Sequence, residues 1–440
     1  MVRSERWAPR LRQVGVLSLG LIAALLWIRY PLLLAVVGVP WLFWLLTTPS
    51  GRQTLAITWV GLATIPERLG ATSVVVVGIA GVVGVLVAMQ AMAAGFQATV
   101  TRAGNDHTAI VLRAGANAEL SSAFERSAAT LIAQAPGVRR DHRDLPIATA
   151  DLVLVATVPR RSTGTDANLE VRGVGPMAWA VRPQVRLVEG RAFEPGRREL
   201  IVGRGALQQF SGLEPGEDLP MLNQGWRIVG VFESGDTHES EVWGDAETLA
   251  AAHRRNGFQS VVVALTEPAA IETLRAALAA DPRLRVDVET TRDYYTKQSE
   301  RLTAAIRIIG TGVAAIMALG AVFGALNTMY TAVSQRAREI ATLRALGFTA
   351  TPVVASVLLE TMTLALAGGL LGAGVAWTLF HGFTVSTLGA NFSQVVFQFQ
   401  VTGELIARGL QWALIIGLFG GLLPALRAAA LPVTVALRES

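Results

Sequence analysis

The sequence predicts an α-helical membrane protein with a large inserted α+β extracytoplasmic domain, and three observations predict this fold class. The chain of 440 residues is 52% hydrophobic and 16% charged, with a mean hydropathy of +0.45, which is more apolar than a typical soluble domain. Four long apolar runs have the length of membrane spans. Between residues 97 and 299 charges return, and short β-rich runs alternate with helical ones. The pattern predicts four core transmembrane helices.

The N-terminal residues 1–48 add a basic segment and an extra hydrophobic hairpin to the four core spans. Two short apolar runs, residues 14–28 and 32–46, follow a group of arginines. About 17 residues is the lower limit for crossing a bilayer as a helix, so the pattern fits either two short spans or a re-entrant, interfacial hairpin. A cleaved signal peptide fits less well because no small-residue cleavage site follows. Residues 49–70 are predicted to be a cytoplasmic linker with an elbow helix on the membrane surface.

The remaining segments divide where the hydropathy changes. The four transmembrane helices are predicted at residues 71–96, 300–331 (which includes a helical stalk), 351–381 and 404–427. The segments between and after them are the extracytoplasmic domain at 97–299, a cytoplasmic helix at 332–350, a short extracytoplasmic loop at 382–403 and a tail at 428–440.

The distribution of basic residues predicts the orientation in the membrane. Arginines precede the first long span, recur at residues 332–350 and reappear at the C-terminus, whereas the loop at 382–403 has no charged residue. By the positive-inside rule, both termini and residues 332–350 lie in the cytoplasm. The sequence therefore predicts a multi-pass membrane protein with a cytoplasmic docking helix.

Hydrophobic periodicity predicts the secondary structure of the inserted domain. The predicted strands are Thr108–Arg113, Ile147–Val158, Leu169–Gly175, Glu199–Val202, Arg227–Phe232, Val261–Leu265 and Arg285–Glu289. Helices are predicted at Glu119–Gln134 and Pro268–Ala279. Residues 395–401 alternate between apolar and polar, which fits a strand or a surface-lying segment, with a simple connector as the alternative.

The most charged stretch of the apolar C-terminal half is residues 334–348, which we call the docking segment. As a helix it presents one broad apolar face. That face contains Ala337, Ile340, Ala341 and Leu343. Arg336 and Glu339 are spaced to pair at i,i+3, and Gly347 is placed to end the helix. An ordered helix between two spans predicts a docking surface, and the alternative is a solvated loop.

The sequence excludes several kinds of chemistry. Lys297 is the only lysine and follows no glycine-rich turn, so the chain has no P-loop with which to hydrolyse ATP. The five histidines are scattered and cysteine is absent, so no metal site is predicted. No GxSxG nucleophile motif occurs. Nucleic-acid binding is not expected, because no basic patch is interleaved with aromatic residues.

Polar residues and glycines inside the predicted spans are further candidates. A carboxylate within a span is unfavourable unless it is paired or near the interface. Glu360 is therefore expected either to pair with the docking segment or a cytoplasmic arginine and fix an intracellular gate, or to snorkel to the headgroups. Asn327 is expected to hydrogen-bond between helices or to face water near a span end. Gly368, Gly369 and Gly372 are predicted to serve helix packing.

Three motifs carry a resemblance to a known family. Residues 336–348 read RAREIATLRALGF, residues 421–438 read GLLPALRAAALPVTVALR, and residues 226–245 read WRIVGVFESGDTHESEVWGD. They resemble, in that order, the cytoplasmic coupling segment, the C-terminal signature and the extracytoplasmic core of the MacB/FtsX-type ABC transporter permeases (type VII). The resemblance covers about residues 68–438 and matches the family layout of four long spans with a large domain after the first.

The resemblance implies that the docking segment transmits motion from a pair of ATPase subunits. The implied coupling residues are Arg336, Arg338, Glu339, Ile340, Leu343, Arg344, Leu346 and Gly347. The three large aliphatic side chains among them would seat in a cleft of the ATPase, and the charged ones would make polar contacts. ATP and Mg²⁺ would bind to that partner, so the permease chain is expected to be non-catalytic and to hold no cofactor.

The resemblance also implies partners and a function. The partners are a cytoplasmic ABC ATPase dimer, a second permease chain (an identical copy or a paralogue), membrane lipids, and a periplasmic adaptor with an outer-membrane duct. The implied function is export or extraction of an amphiphile such as a lipid, lipoprotein, drug or peptide. The alternative is an FtsX-like mechanotransmitting permease that regulates a cell-wall hydrolase without transport. A membrane-embedded enzyme fits poorly, because no catalytic constellation is visible.

Two features depart from the family pattern. MacB carries its ATPase on the same chain, whereas here the ATPase is expected on a separate subunit. The N-terminal hairpin lies outside the four-span plan, so the resemblance gives it no role.

Overall fold

A computed structural model describes residues 33–221, 224–389, 391 and 393–430. The first apolar run of the predicted N-terminal hairpin and residues 431–440 of the predicted tail lie outside the described residues. The chain divides into two compact units. We call residues 33–91, 307–381 and 401–430 the helical unit, and residues 92–306 and 382–400 the α+β domain.

The elements are numbered in chain order over the described residues. The helices are α1 (Leu33–Thr47), α2 (Pro49–Ala63), α3 (Leu69–Arg102), α4 (Arg126–Ala133), α5 (Ala178–Val181), α6 (Arg204–Gln209), α7 (Ala246–Ala252), α8 (Ala270–Ala280), α9 (Thr291–Gln335), α10 (Ala337–Ala345), α11 (Ala350–Phe380) and α12 (Gly403–Ala430). Short 3-10 helices cover Ile65–Arg68, Glu119–Ser121 and Thr237–Ser240.

The strands are β1 (Thr108–Arg113), β2 (Phe124–Glu125), β3 (Ala148–Pro159), β4 (Asp166–Val174), β5 (Arg186–Gly190), β6 (Glu199–Gly203), β7 (Asp218–Met221), β8 (Gln224–Glu233), β9 (Glu241–Asp245), β10 (Gly257–Phe258), β11 (Ser260–Ala264), β12 (Val286–Thr290), β13 (Thr384–Leu388) and β14 (Gln394–Gln398).

Four of the described helices, α3, α9, α11 and α12, are long and apolar enough to cross a membrane. The longest, α9, has 45 residues, which gives about 68 Å at 1.5 Å per residue. This exceeds the roughly 30 Å of a hydrocarbon core. The single helix α9 therefore contains both the predicted stalk and the second span. Residues 291–306 of α9 belong to the α+β domain, and the rest belongs to the helical unit.

Local capping chemistry determines where the elbow helix α2 begins. Thr48 has an extended backbone, and its hydroxyl oxygen accepts a hydrogen bond from the Gly51 amide at 3.0 Å. Pro49 occupies the first helical position, where a missing N–H is harmless. Within the helical unit, α2 packs along α11.

Glycines let the long helices approach closely. A Cβ at Gly368 would lie 2.7 Å from the Val76 carbonyl oxygen of α3, and one at Gly369 would lie 2.8 Å from the Ala413 Cβ of α12. A Cβ at Gly372 would overlap the backbone of Ala80. The three glycines predicted to serve packing therefore lie where α11 contacts α3 and α12.

The α+β domain is built on a ten-stranded mixed sheet. The strand order is β12-β1-β11-β3-β4-β9-β6-β8-β5, and β7 pairs with β8 beside this path. The pairs β4–β9 and β6–β8 are parallel, and the other pairs in the sheet are antiparallel. The main hydrophobic core lies on one face of the sheet and includes Leu169 and Val171 of β4 with Trp226 of β8.

A β-hairpin of β13 and β14 belongs to the α+β domain. Its Phe397 ring meets the Phe96 ring of α3 edge to face, with centroids 5.5 Å apart. The Val396 amide donates to the Ser240 hydroxyl oxygen at 2.8 Å. The loop predicted at residues 382–403 is thus a hairpin that packs on this domain, and the strand alternative for residues 395–401 is the one found.

One predicted element is wrong in part. The helix predicted over Glu119–Gln134 is a 3-10 turn at Glu119–Ser121, the short strand β2 and the helix α4 from Arg126 to Ala133. The interruption occurs because β2 pairs with β10, which places Phe124 opposite Phe258. Long-range pairing therefore overrides the local helical pattern.

Replacing Gly372 by alanine tests the close approach of α11 and α3. The new Cβ would overlap the Ala80 backbone, so we expect the free energy of unfolding to fall by about 1–3 kcal/mol. Gly374→Ala is the matched control, because nothing lies within 4 Å of a Cβ there. The measurement is the apparent melting temperature of both variants in detergent. Equal melting temperatures would contradict the assigned contact.

Candidate functional site

The docking segment forms a short helix whose ends are set by local chemistry. It runs from Ala337 to Ala345, and Gly347 follows in the left-handed region at φ 102°. Leu346 is 73% exposed, whereas Ile340 is buried. Arg338 and Glu339 are exposed on the polar side. The helix therefore has an inner face fixed to this chain and an outer face with an exposed leucine beside charged residues.

Two expectations about the docking segment need correction. Ile340 was expected to enter a partner's cleft, but it packs in a cluster of this chain with Met329 and Val353, because the apolar face turns inward. Arg336 was expected to pair with Glu339. Arg336 is the N-cap residue of α10, and its guanidinium pairs with Glu360 instead.

Glu360 of α11 lies at the centre of a buried ion cluster, which we call the Glu360 cluster. Arg336 Nη1 lies 3.0 Å from Glu360 Oε2, and Arg68 Nη2 lies 3.0 Å from Glu360 Oε1. The carboxylate side chain is only 6% exposed. The first of the two alternatives for Glu360, pairing rather than snorkelling, is therefore the one found in the structure. Buried carboxylates need such partners because desolvation penalises their charge.

The Glu360 cluster ties together the elbow, the docking segment and the third long helix. Arg336 Nη2 also donates to the Gly61 carbonyl oxygen at 3.0 Å and to the Thr64 hydroxyl at 2.5 Å. A Cβ at Gly61 would lie 2.9 Å from Glu360 Oε2 and 3.0 Å from Arg336 Nη1. A side chain at position 61 would therefore require Glu360 or Arg336 to shift, so glycine favours this close approach.

A cavity of about 450 Å³ adjoins the Glu360 cluster within the helical unit. Its walls are apolar and include Val60 of α2, Val333 of α9 and Leu343 of α10. Arg336 and Glu360 form a polar part of the wall. Space beside the docking segment allows it to shift without displacing tightly packed side chains.

Other predicted residues of the helical unit lie apart from this cluster. Arg344 Nη1 donates to the Ala429 carbonyl oxygen at 3.0 Å, which attaches the docking segment to the end of α12. Asn327 is exposed on α9, and it contributes a backbone carbonyl to the Thr331 hydroxyl. The structure therefore does not bring Asn327 and Glu360 into one site.

The α+β domain contains a second buried ion cluster that the sequence did not reveal, which we call the Arg172 network. Arg172 is 2% exposed and contacts four carboxylates. Its distances are 2.7 Å to Glu241 and to Glu170, 2.9 Å to Glu119 and 3.4 Å to Asp151. Arg182 adds a second contact to Asp151 at 2.5 Å. Two guanidiniums thus face four carboxylates.

The strand register brings these charges together. Glu170 and Arg172 are two apart in β4, so they share one face of the sheet, and Leu169 and Val171 point to the core. The parallel register places Glu241 of β9 beside Glu170. The polar face that this alternation creates is covered within the α+β domain, and the charges are buried.

Two carboxylates of the Arg172 network, Glu119 and Glu170, have different pKa values. Burial alone raises the pKa of Glu119, but the adjacent Arg172 more than offsets this and holds the pKa at about 2. Burial, followed by repulsion from Glu241, raises the pKa of Glu170 to about 7 against the attraction of Arg172. Of these two carboxylates, Glu170 is therefore the one that binds a proton more readily.

A buried histidine adjoins this network. His238 Nδ1 lies 2.9 Å from Asp236 Oδ1, and its Nε2 lies 3.3 Å from the Tyr295 hydroxyl of α9. Burial would raise the pKa of Asp236, but the facing imidazole lowers it to about 2. The dyad resembles a catalytic pair in composition, but His238 is fully buried. Across the described ranges, no three His, Asp or Glu side chains converge as metal ligands.

The structure thus combines four apolar helices with an inserted α+β domain. A family model for the MacB-like periplasmic core domain matches residues 69–281, and one for the FtsX-like permease C-terminal region matches residues 311–433. These features define an integral inner-membrane permease. The chain belongs to the MacB/FtsX-type ABC transporter permeases.

Similar proteins include two named macrolide export ATP-binding/permease protein MacB. The one from Burkholderia thailandensis is 25% identical over 235 residues, covering 48% of this chain and 35% of the relative. The one from Vibrio parahaemolyticus is 23% identical over 234 residues, covering 49% and 35%. The chain thus spans about a third of the length of these relatives.

Two solved structures also resemble part of the chain. The periplasmic region of MacB from Actinobacillus actinomycetemcomitans matches at 12% identity with a TM-score of 0.34, covering 44% of this chain and 94% of that one. The extracellular domain of the transporter YknZ from Gram-positive bacteria matches at 18% identity with a TM-score of 0.32, covering 42% and 100%.

Removing the charge of Glu360 tests the cluster at the docking segment. In Glu360→Gln two arginines lose their carboxylate, so we expect the free energy of unfolding to fall by on the order of 3 kcal/mol. Glu67→Gln, an exposed position in the same elbow, is the control and should behave like the wild type. Thermal unfolding of the purified full chain in detergent is the measurement. If Glu360→Gln has the melting temperature of the wild type, the Glu360 cluster does not stabilise the fold.

Replacing Arg172 tests the second network. Arg172→Met leaves buried carboxylates without their shared cation, so we expect a loss of about 3–5 kcal/mol. Arg227→Met is the control, because its pair with Asp218 is exposed and contributes little. Urea titration of the full chain with tryptophan fluorescence compares them. The network assignment fails if both variants lose the same amount.

Proposed function

We propose that this chain is the permease subunit of an ABC transporter that exports or extracts an amphiphilic substrate. A separate ATPase dimer hydrolyses ATP in the cytoplasm, and the docking segment transmits its motion. The α+β domain then acts on the substrate on the outer side of the membrane. ATP and Mg²⁺ belong to the partner, and this chain has no catalytic role.

The Glu360 cluster is the observation that carries this proposal. A helix that only connected two spans would not need two arginines on one buried carboxylate. Here the guanidinium at the start of α10 is bound to the elbow carbonyl of Gly61 and to Glu360 of α11. A force on α10 is therefore applied to α2 and α11 together, while the adjoining cavity leaves room for displacement.

The outer face of the docking segment supports the contact with an ATPase. Leu346 is exposed just before Gly347, and Arg338 and Glu339 are exposed on the same short helix. An exposed leucine with charges of both signs suits an apolar anchor within a polar rim. Ile340 is not part of this surface, because it is buried in the helical unit.

The export function is favoured by the relatives, which are named macrolide export proteins. Macrolides are amphiphiles, and the proposed substrate class is therefore amphiphilic. Both termini and the docking segment lie in the cytoplasm in this proposal, and the α+β domain lies outside. A second permease chain, identical or paralogous, completes the complex, and an adaptor with an outer-membrane duct receives the substrate.

A leucine-to-aspartate pair tests the docking surface. We expect Leu346→Asp to weaken binding of the partner ABC ATPase by about tenfold or more, because a charge replaces an apolar anchor. Leu145→Asp introduces the same change at an exposed position of the α+β domain and should leave binding unchanged. Co-purification of the ATPase with each tagged, membrane-inserted variant is the measurement. Full assembly of Leu346→Asp would overturn the proposed docking surface.

Transport by the assembled complex separates export from signalling. In proteoliposomes with a fluorescent phospholipid or a macrolide, export predicts ATP-dependent removal of the amphiphile from the bilayer. ATP hydrolysis without any such removal would instead favour the mechanotransmitting alternative, in which a cell-wall hydrolase is the partner.

A further inference from the structure

The cavity of about 450 Å³ beside the docking segment has the size of a ligand site. Sites for small molecules occupy roughly 300–1,000 Å³ and are lined mainly by apolar side chains. The wall of this cavity meets that description, and its apolar residues Met329, Val333, Val353 and Val357 are all buried. The wall comes from α2, α9, α10 and α11, which all belong to the helical unit.

Polar groups deep in the wall have partners within the protein. Arg336 pairs with Glu360. The Ser356 hydroxyl donates to the Val353 carbonyl oxygen at 2.9 Å. A water molecule in a buried site normally makes two to four hydrogen bonds, and this interior offers it few unpaired groups. A hydrocarbon chain would instead gain dispersion contacts with the apolar wall.

The mouth of the cavity has one apolar and one polar side. Val60 of α2 lines the cavity and is 58% exposed, and the neighbouring Trp59 is 75% exposed. An exposed apolar face of such a helix lies at the boundary between headgroups and acyl chains in a bilayer. On the other side, Glu339 and Thr342 of α10 line the cavity and are exposed. The mouth therefore suits a molecule with a hydrocarbon chain and a polar head.

The charge around the mouth is positive overall. The docking segment and the Glu360 cluster together contain four arginines and two glutamates, an excess of two positive charges: Arg68, Arg336, Arg338, Arg344, Glu339 and Glu360. Arg338 is exposed one helical turn before Thr342 at the mouth. Basic sites between membrane helices bind the phosphate groups of anionic lipids. The polar head that fits this mouth is therefore anionic.

We propose that an anionic glycerophospholipid occupies this cavity, with one acyl chain between α2, α9 and α11 and its phosphate at the docking segment. The lipid is a resident part of the helical unit and is not the exported substrate. The proposal requires only that the helical unit lies in a bilayer, so it is independent of the ATPase contact and of the export function.

The test is photo-crosslinking of the full chain in nanodiscs without an ATPase. The probe is phosphatidylglycerol with a photoreactive diazirine in one acyl chain, and mass spectrometry identifies the labelled residues. We expect label on the buried cavity residues Val333, Val353 and Val357, which we call the cavity valines. Ile316, which is 73% exposed on α9, reports labelling by the surrounding bilayer. Label on Ile316 without any on the cavity valines would overturn the proposal.

Phosphatidylethanolamine with the same photoreactive chain tests the head group. An arginine near a membrane surface favours an anionic lipid by about fivefold, so we expect phosphatidylglycerol to label the cavity valines, relative to Ile316, at least about fivefold more. Arg338→Gln should reduce this preference by about fivefold. Arg52→Gln removes an exposed arginine of α2 that does not line the cavity and should retain it. Equal labelling by the two lipids in the wild type would overturn the anionic head group.

A soluble phosphate is the competing source of the same head-group chemistry. Glycerol phosphate carries the phosphate without a chain, so an excess of it should leave the labelling of the cavity valines unchanged. Loss of that labelling would assign the site to a soluble phosphate and overturn the lipid.

A bulky residue at the mouth tests entry into the cavity. Ala56 of α2 is exposed and lines the cavity, so a phenylalanine there obstructs the mouth. We expect Ala56→Phe to remove label from the cavity valines and to retain it on Ile316. Ala63→Phe, at an exposed position of α2 outside the cavity wall, should label like the wild type. Unchanged label in Ala56→Phe would overturn the proposal, and if this variant fails to fold, the wild-type comparison with Ile316 still decides it.

Discussion

The burial of more carboxylates than cations around Arg172 constrains the whole α+β domain. Taking one ion out of water costs several kcal/mol, so the arrangement persists only because each neighbour is fitted to it. Arg172 is bidentate to both Glu119 and Glu241, and Trp243 donates its indole N–H to Glu241 at 2.7 Å. The guanidinium thus contacts Glu119 of the 3-10 turn and Glu241 of β9. It also contacts Glu170, to which the β13–β14 hairpin donates hydrogen bonds.

The helical unit uses a similar arrangement on a smaller scale. One carboxylate, Glu360, holds two arginines that arrive from distant parts of the chain. Buried ion pairs contribute little net stability, but they disfavour alternative packings, because each alternative leaves a charge without a partner. Each cluster therefore favours one packing arrangement within its own unit. In the helical unit, a cavity of about 450 Å³ lies beside the ion cluster and α10.

The sequence predicted those elements whose pattern is local. Strand β1 has the predicted bounds, and α8 begins two residues after its predicted start, because short periodic runs determine both. The alternation of Leu169, Glu170, Val171 and Arg172 predicted a strand, but such a pattern normally marks a solvent-facing side. What covers that side includes Asn391, which is more than 200 positions away. The same limit applied at the docking segment, where the amphipathic face was visible but not its direction, so Ile340 was assigned to a partner.

The length and continuity of helix α9 determine how far its two ends can move relative to each other. No proline interrupts its 45 residues, so it can act as a stiff rod about 68 Å long. A rotation of about 5° at one end would carry the other through about 6 Å, on the order of one helical turn. The end near Gln335 adjoins Arg336 of the Glu360 cluster, and the end near Thr291 carries Tyr295 of the His238 contact. One uninterrupted helix therefore connects Tyr295 with the residue that precedes Arg336.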